Sequence, residues 1–137
     1  MANIFDIAGS GMAAQSQRLN LVASNLANAD STSGPDGEAY RAQNPVFSAL
    51  LQQAQSGNGS TNGGVAVTAV VADQSPLPVR YDPGHPHANE AGYVEMSNVN
   101  AMAEMANMMS ASRSYQSNIE VMNTSKQLML RTLQIGR

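Results

Sequence analysis

The chain has no cysteine and no tryptophan, and Lys126 is its only lysine. The missing cysteines exclude a disulfide framework and a thiolate metal site, while remaining compatible with an oxidising compartment. Seven cations scattered through a chain of net charge −3 do not make the basic patch that phosphate neutralisation requires, so a nucleic-acid partner is excluded. No apolar run approaches the ~18 residues of a membrane span, which argues against membrane insertion. The first cation is Arg18, and Asp6, Gly9, Ser10 and Gly11 interrupt any apolar stretch before it. That is not the pattern of a secretory signal peptide, so work outside the cytoplasm would need another export route. Charged residues make up 12% of the chain, about half the share in an ordinary soluble domain. Ala, Ser, Asn, Gln and nine Met stand in their place. A lone soluble domain carries a mixed charged surface; a surface this neutral is expected to be covered by partners.

What is present is periodic. Phe5, Ala8, Met12, Leu19, Val22, Leu26 and Ala29 fall on one 3-4 stripe, with Gln15 as its polar member. The mean spacing is that of a coiled-coil seam. It predicts a helix over 5–29, about 37 Å long at 1.5 Å per residue. Gly9 and Gly11 soften its first turns by ~1 kcal/mol each relative to Ala. A second stripe joins Ala101, Met105, Met108, Ser112, Tyr115, Ile119, Met122, Lys126, Met129 and Leu133. Asn98 or Asn100 can cap its start, and Arg131 and Arg137 suit its negative end. A helix of about 35 residues spans ~50 Å, which a chain this small cannot cover alone. The two stripes are expected to pair with each other and with neighbouring subunits.

Between them the composition changes. Asp30 to Pro45 is turn chemistry, with Pro35 fixing φ and Gly37 free to take a positive one. Val46–Gln55 suits a short extended or helical piece, and Ser56–Gly64 a flexible loop. Val65–Ala72 alternates as a strand that Leu77–Tyr81 can pair with; Asp82–Glu90 is a turn and Gly92–Met96 a short strand. The predicted fold is therefore mainly α. An N-terminal helix (1–30) and a C-terminal helix (98–137) pair as a coiled-coil-like bundle, with a loop and small β-hairpin module (31–97) between them.

Candidate chemistry is sparse. Gly9-Ser-Gly11-Met-Ala-Ala14, with Asp30 about 20 residues on, matches a dinucleotide fingerprint. It sits inside a helical stripe, however, without the βαβ units that give the motif its meaning. His85 and His87, beside Asp82, flank Pro86 and read as turn residues, since structural zinc usually takes four ligands. The Gly-rich stretch at 57–64 lacks the lysine of a phosphate loop. Met residues at 96, 102, 105, 108, 109, 122 and 129 suit gap-filling between helices. No catalytic residue, metal site or cofactor is expected.

Three stretches carry a resemblance. Ser24-Asn25-Leu26-Ala27-Asn28-Ala29-Asp30 leads to an aromatic-basic pair, Tyr40-Arg41. Tyr81-Asp82-Pro83-Gly84-His85-Pro86 is followed by Ala88-Asn89 and Gly92-Tyr93-Val94. Asn98-Val99-Asn100 precedes Glu104-Met105, Met108, Ala111, Arg113, Tyr115-Gln116 and Asn118. Together they resemble the rod and hook axial proteins of the bacterial flagellum, and within them the proximal rod branch. Ser97 departs from that pattern, in which Pro commonly precedes Asn-Val-Asn, and 56–64 looks like a local loop variation. The resemblance implies a non-enzymatic subunit of the periplasmic basal-body rod, exported by the flagellar type III apparatus without a cleaved signal. It implies contacts with copies of itself, other proximal rod proteins, the rod–ring or export-gate adaptor, and the distal rod. Phe5, Met12, Leu19, Val22, Leu26, Met105, Met108, Tyr115, Ile119, Met122, Met129 and Leu133 are the expected packing and assembly positions. A small coiled-coil adaptor or export chaperone is the alternative; a metal- or nucleotide-dependent enzyme is the second.

Overall fold

The structure, a computed structural model, describes residues 3–34, 37–50 and 63–136. Pro35, Arg137 and most of the predicted 56–64 loop lie outside them, as does the end of the Val46–Gln55 segment. The element order is α1 (Ile4–Ala27), β1 (Gln43–Ala49), β2 (Val65–Ala72), β3 (Val79–Tyr81), β4 (Tyr93–Glu95) and α2 (Ala101–Ile135).

Both helices begin on an asparagine. The Asn3 side chain accepts from the Phe5 amide at 3.0 Å, and Asn100 accepts from Met102 and Ala103 at 3.1 and 3.2 Å. Each cap satisfies amides that have no partner within the helix. Asp6 and Glu104 lie in the two first turns, where a negative charge complements the helix dipole. α1 stops where Asn28 folds its side-chain amide back onto the Ser24 carbonyl at 2.8 Å. α2 runs for 35 residues and ends at Gly136, whose amide donates to the Thr132 carbonyl at 3.1 Å.

The helices run antiparallel, since Gly11 meets Asn118 while Arg18 bonds to Asn107. Mainly α, with a small β module between two long paired helices, is the architecture found. The strand pairing differs from expectation in one respect. β2 pairs with β1, with an irregularity between Val46 and Phe47, and not with Leu77–Tyr81. That segment supplies β3, which pairs antiparallel with β4. The cause lies just after β2. Asp73 closes a local turn by accepting from the Ser75 amide and hydroxyl at 2.8 and 2.6 Å. Those bonds, with Arg41 adding attraction, hold the Asp73 carboxyl below its ordinary value. The Asp73 and Ser75 carbonyls are meanwhile taken by Arg41, at 3.1 and 3.0 Å, so the chain leaves the ribbon instead of doubling back. Gly92, at φ +82°, closes the β3–β4 pair. A Cβ there would stand 3.0 Å from the Tyr81 ring, so any L side chain is strained as well as crowded.

The core is thin and made of small residues. Its buried apolar side chains are Ala8, Ala14, Val22, Ala39, Ala42, Val94 and Ala111, and the largest fully buried ones are Val22, Val94 and Asn25. The big apolar residues lie elsewhere.

Candidate functional site

The buried positions along α1 and α2 follow a seven-residue repeat, with buried Ala14 on α1 and Asn107, the partner of Arg18, on α2 lying off it. On α1 it passes through Ala8, Gly11, Gln15, Arg18, Val22 and Asn25; on α2 through Ala101, Glu104, Met108, Ala111, Tyr115, Asn118, Met122 and Ser125, all buried or half-buried. Half of each series belongs to the stripe read from the sequence. The other half lies one residue earlier: Gly11, Arg18 and Asn25 rather than Met12, Leu19 and Leu26, and Glu104, Ala111, Asn118 and Ser125 rather than Met105, Ser112, Ile119 and Lys126. Met12, Leu19 and Leu26 flank the seam half-buried, as do Phe5 and Ala29, while Met105, Ile119, Met129 and Leu133 are exposed. The missed signal was a repeat of small and polar residues at seven-residue spacing. It is fainter than the Met and Leu stripe beside it.

Small residues let the helices approach closely. A Cβ on Gly11 would fall 2.8 Å from the Asn118 amide nitrogen, so no larger residue fits without displacement. Polar residues then complete the contact. Arg18 donates from Nε to Asn107 Oδ1 at 2.8 Å, its Nη2 reaches the same oxygen, and Nη1 bonds to Gln15. Glu104 is the exception. It is buried, and its Oε2 has no hydrogen-bond partner.

At the end of the seam, four residues of the sequence motifs meet in one polar joint. Asn25 Oδ1 accepts from the Tyr40 hydroxyl at 2.8 Å and the Gln43 amide at 2.9 Å, and its Nδ2 donates to the Gln43 carbonyl at 3.0 Å. Asn25 thus acts as a strand partner for the start of β1, which explains a 1% exposed amide in a thin core. Asn98 Oδ1 accepts from the Ala42 amide at 2.8 Å, and its Nδ2 donates to the carbonyls that also take Arg41. Ser97, buried, donates from Oγ to the Ala29 carbonyl at 2.6 Å and from its amide to Ser31 at 3.2 Å. A proline at 97 could make neither bond. This joint locks the exit of α1, the β module and the entry of α2 together.

The remaining motif residues stand apart from it. Tyr81 packs edge-on against Tyr93 at 5.2 Å. Asp82 makes an exposed 3.5 Å ion pair with Arg80, and its carbonyl accepts from His85 in the turn carrying Pro83 and Gly84. His85 Nδ1 accepts from the His87 amide at 3.0 Å, and His87 Nδ1 bonds to the Thr32 hydroxyl at 3.1 Å. Gly9 to Ala14 are continuous helix, so the strand–turn–helix of a dinucleotide site is absent there. Ala27 is exposed, Asn28 half-buried, and Arg113 lies outside the seam with Met109 and Gln116.

A helix pair of this kind, with a motif-built joint at one end and large apolar residues facing outward, suits assembly rather than catalysis. Sequence comparison decides the family. The chain is 56% identical, over all of its length and 98% of the relative's, to the flagellar basal-body rod protein FlgC of Salmonella typhimurium strain LT2. The chain belongs to the FlgC family of flagellar basal-body rod proteins. The FlgC proteins of Escherichia coli O157:H7 and Bacillus subtilis strain 168 are 55% and 34% identical, over 100% and 96% of this chain and 98% and 95% of their own. Residues 5–35 match the family described as flagella basal body rod protein, and 90–135 the C-terminal family of the flagellar basal body rod FlgEFG proteins. Those two matches take in nearly all of α1 with its exit, and β4 with α2.

Proposed function

We propose that this chain is a structural subunit of the proximal rod of the flagellar basal body, with no catalytic role. One observation carries the reading. The chain spends small and polar residues on its internal seam and leaves Met102, Met105, Met109, Ile119, Leu128 and Leu133 between 39% and 76% exposed. Apolar surface that a subunit does not bury within itself is buried against neighbours. Helix faces that meet neighbours at a rotation that does not close build a helical tube. Interdigitated helices in such a tube resist shear, as torque transmission needs.

In this reading the neighbours are copies of the chain, other proximal rod proteins, the ring or export-gate adaptor below and the distal rod beyond. The subunit works in the periplasm and reaches it through the flagellar type III apparatus, without a cleaved signal. The thin core supports that route, because helices that bury little apolar area alone unfold readily for passage and order on assembly.

The test is a deletion strain complemented with the chain. Restored swimming is expected, with the chain recovered in purified basal bodies. Basal bodies that complete their rods while the chain remains soluble in the cytoplasm would instead favour the adaptor or chaperone.

A further inference from the structure

The β3–β4 ribbon has two unlike faces. Arg80 and Val94 are register partners, so their side chains share a face. Val94 is fully buried on it, and Arg80 is engaged by Asp82. Val79 with Glu95 and Tyr81 with Tyr93 share the other face. There Val79, Tyr81 and Tyr93 are 61%, 64% and 45% exposed, Glu95 is exposed too, and no cation stands among them. A cavity of about 460 Å³ adjoins this face, lined by Tyr93 and Glu95 together with Ser33, His87 and Asn89. We propose that this cavity is a docking site for an arginine side chain carried on an extended or turning segment of a different protein.

Charge and aromatic surface select the occupant. The Arg80–Asp82 contact is the one ion pair among the described residues, so the Glu95 carboxylate has no charged partner in them. Arg41, the other cation between the two helices, is committed to the Asp73 and Ser75 carbonyls. Glu38 and Glu90 adjoin the lining residues Gly37 and Asn89 in sequence and add negative charge beside the cavity. A guanidinium lies flat on an aromatic ring and offers a carboxylate two parallel N–H donors. Tyr93 and Glu95 supply both partners on one face. A saccharide suits the cavity less, because its hydroxyls need several free donors and acceptors. Here the Ser33 amide is used by the Glu95 carbonyl at 3.0 Å, and His87 Nδ1 by the Thr32 hydroxyl at 3.1 Å. Asn89 Oδ1 is used by the Ala91 and Tyr93 amides, both at 3.0 Å. A second copy suits it less as well. Arg18 is held in the seam by Asn107, and Arg113, Lys126 and Arg131 all stand on one unbroken helix. A helix about 10 Å across does not enter a cavity of this size, whereas an extended segment does.

The test titrates the isotope-labelled full-length chain with acetyl-Gly-Arg-Gly-amide and follows the backbone amide resonances. Saturable shifts at Asn89, Tyr93 and Glu95 are expected, with acetyl-Gly-Gln-Gly-amide binding about tenfold more weakly. Glu95→Gln and Tyr93→Ala should each weaken the arginine peptide severalfold. Val79→Ala, on the same face but outside the cavity lining, should leave its binding unchanged. Absence of saturable shifts, equal binding of the two peptides, or binding indifferent to Glu95→Gln overturns the proposal. Shifts at these residues with chitotriose and none with the arginine peptide would make this a saccharide site. Self-association of the wild-type chain that is lost in Glu95→Gln would give the cavity to a second copy. Either of those results also overturns the proposal. None of these readouts depends on rod assembly, so their failure leaves the rod reading standing, and a chain that enters no basal body removes that reading without touching this one.

Discussion

The first 25 residues of α2 and its last ten share one seven-residue repeat and opposite chemistry. Along the paired stretch the repeat buries Glu104, Ala111 and Ser125; along the last ten residues it presents Met129 to solvent, with Leu128, Leu130 and Leu133 around it. In an ordinary globular helix the large apolar residues lie inside and the small polar ones outside. Here the order is reversed because two kinds of contact are divided between them. The seam within the chain fixes how closely and in what register the helices lie, which small residues and hydrogen bonds do well. The contacts outside it must supply burial, which Leu and Met do well. Variants on the seam should therefore act on the folding of the subunit, and variants outside it on assembly alone.

The sharpest way to break that division is at Val22, 1% exposed where α1 faces the entry of α2. Val22→Asp places an unpaired carboxylate there, costing about 4 kcal/mol or more. With native stabilities of roughly 5–15 kcal/mol and a core this thin, the helix pair should be lost at room temperature. Far-ultraviolet circular dichroism of the purified chain should show it, and helicity equal to wild type would contradict the core assigned here.

Next in size is the joint. Asn25→Ala removes the partner of the Gln43 amide and carbonyl and of the Tyr40 hydroxyl. Leaving buried polar groups unpaired costs about 1–3 kcal/mol each, reduced where water can enter beside half-buried Tyr40. A loss of about 3 kcal/mol by urea titration is expected. Asn25→Asp should lose at least as much, because it keeps the acceptor but buries a carboxylate whose second oxygen faces the Gln43 carbonyl.

Glu104 should move stability the other way. Its orphaned oxygen costs about 1–3 kcal/mol, while a first-turn acid returns only ~0.3–1 through the helix dipole. The cost is larger, so Glu104→Met should stabilise the isolated chain by about 1 kcal/mol, read as a raised urea midpoint. An unchanged or lowered midpoint would mean that the carboxylate is satisfied in solution.

How much of this could be read beforehand follows from the same division. Both helices and their pairing were legible, and the α2 cap was narrowed to Asn98 or Asn100, because 3-4 periodicity and capping are local signals; the antiparallel direction was not read. The motif residues Asn25, Tyr40, Arg41 and Asn98 were legible as a group, but their junction was not: it depends on contacts 15 to 56 residues apart in sequence. The seam itself was half legible. Met12, Leu19, Met105 and Ile119 outweigh Gly11, Arg18, Glu104 and Asn118 in any hydrophobic periodicity, yet close packing selects the latter. The pairing of β2 was missed because the turn at Asp73–Ser75 is held by Arg41 and Asn98 from outside the segment.

The smallest expected effect on stability is also the one that most directly separates the two kinds of contact. Ser117 is exposed, and its hydroxyl donates back to the Arg113 carbonyl at 3.0 Å, a bond that slightly disfavours the helix. Ser117→Glu removes it, adds a better helix former, and sets a carboxylate four residues after Arg113, where a weak ion pair forms. The isolated chain should keep its stability within about 0.5 kcal/mol. In the rod reading that face, which carries Arg113 and Glu120, the two charges among residues 106 to 125, is expected to meet a neighbouring subunit. A second carboxylate beside Glu120 is costly once that face is covered, because Arg113 alone then has two acids to neutralise. The Ser117→Glu chain should therefore be made and exported at normal levels but fail to complete the rod, leaving cells that do not swim. Normal swimming by this strain would mean that the face stays in water, and the assembly contacts would then have to lie on the Met102–Met109 stretch and the C-terminal end of α2 alone.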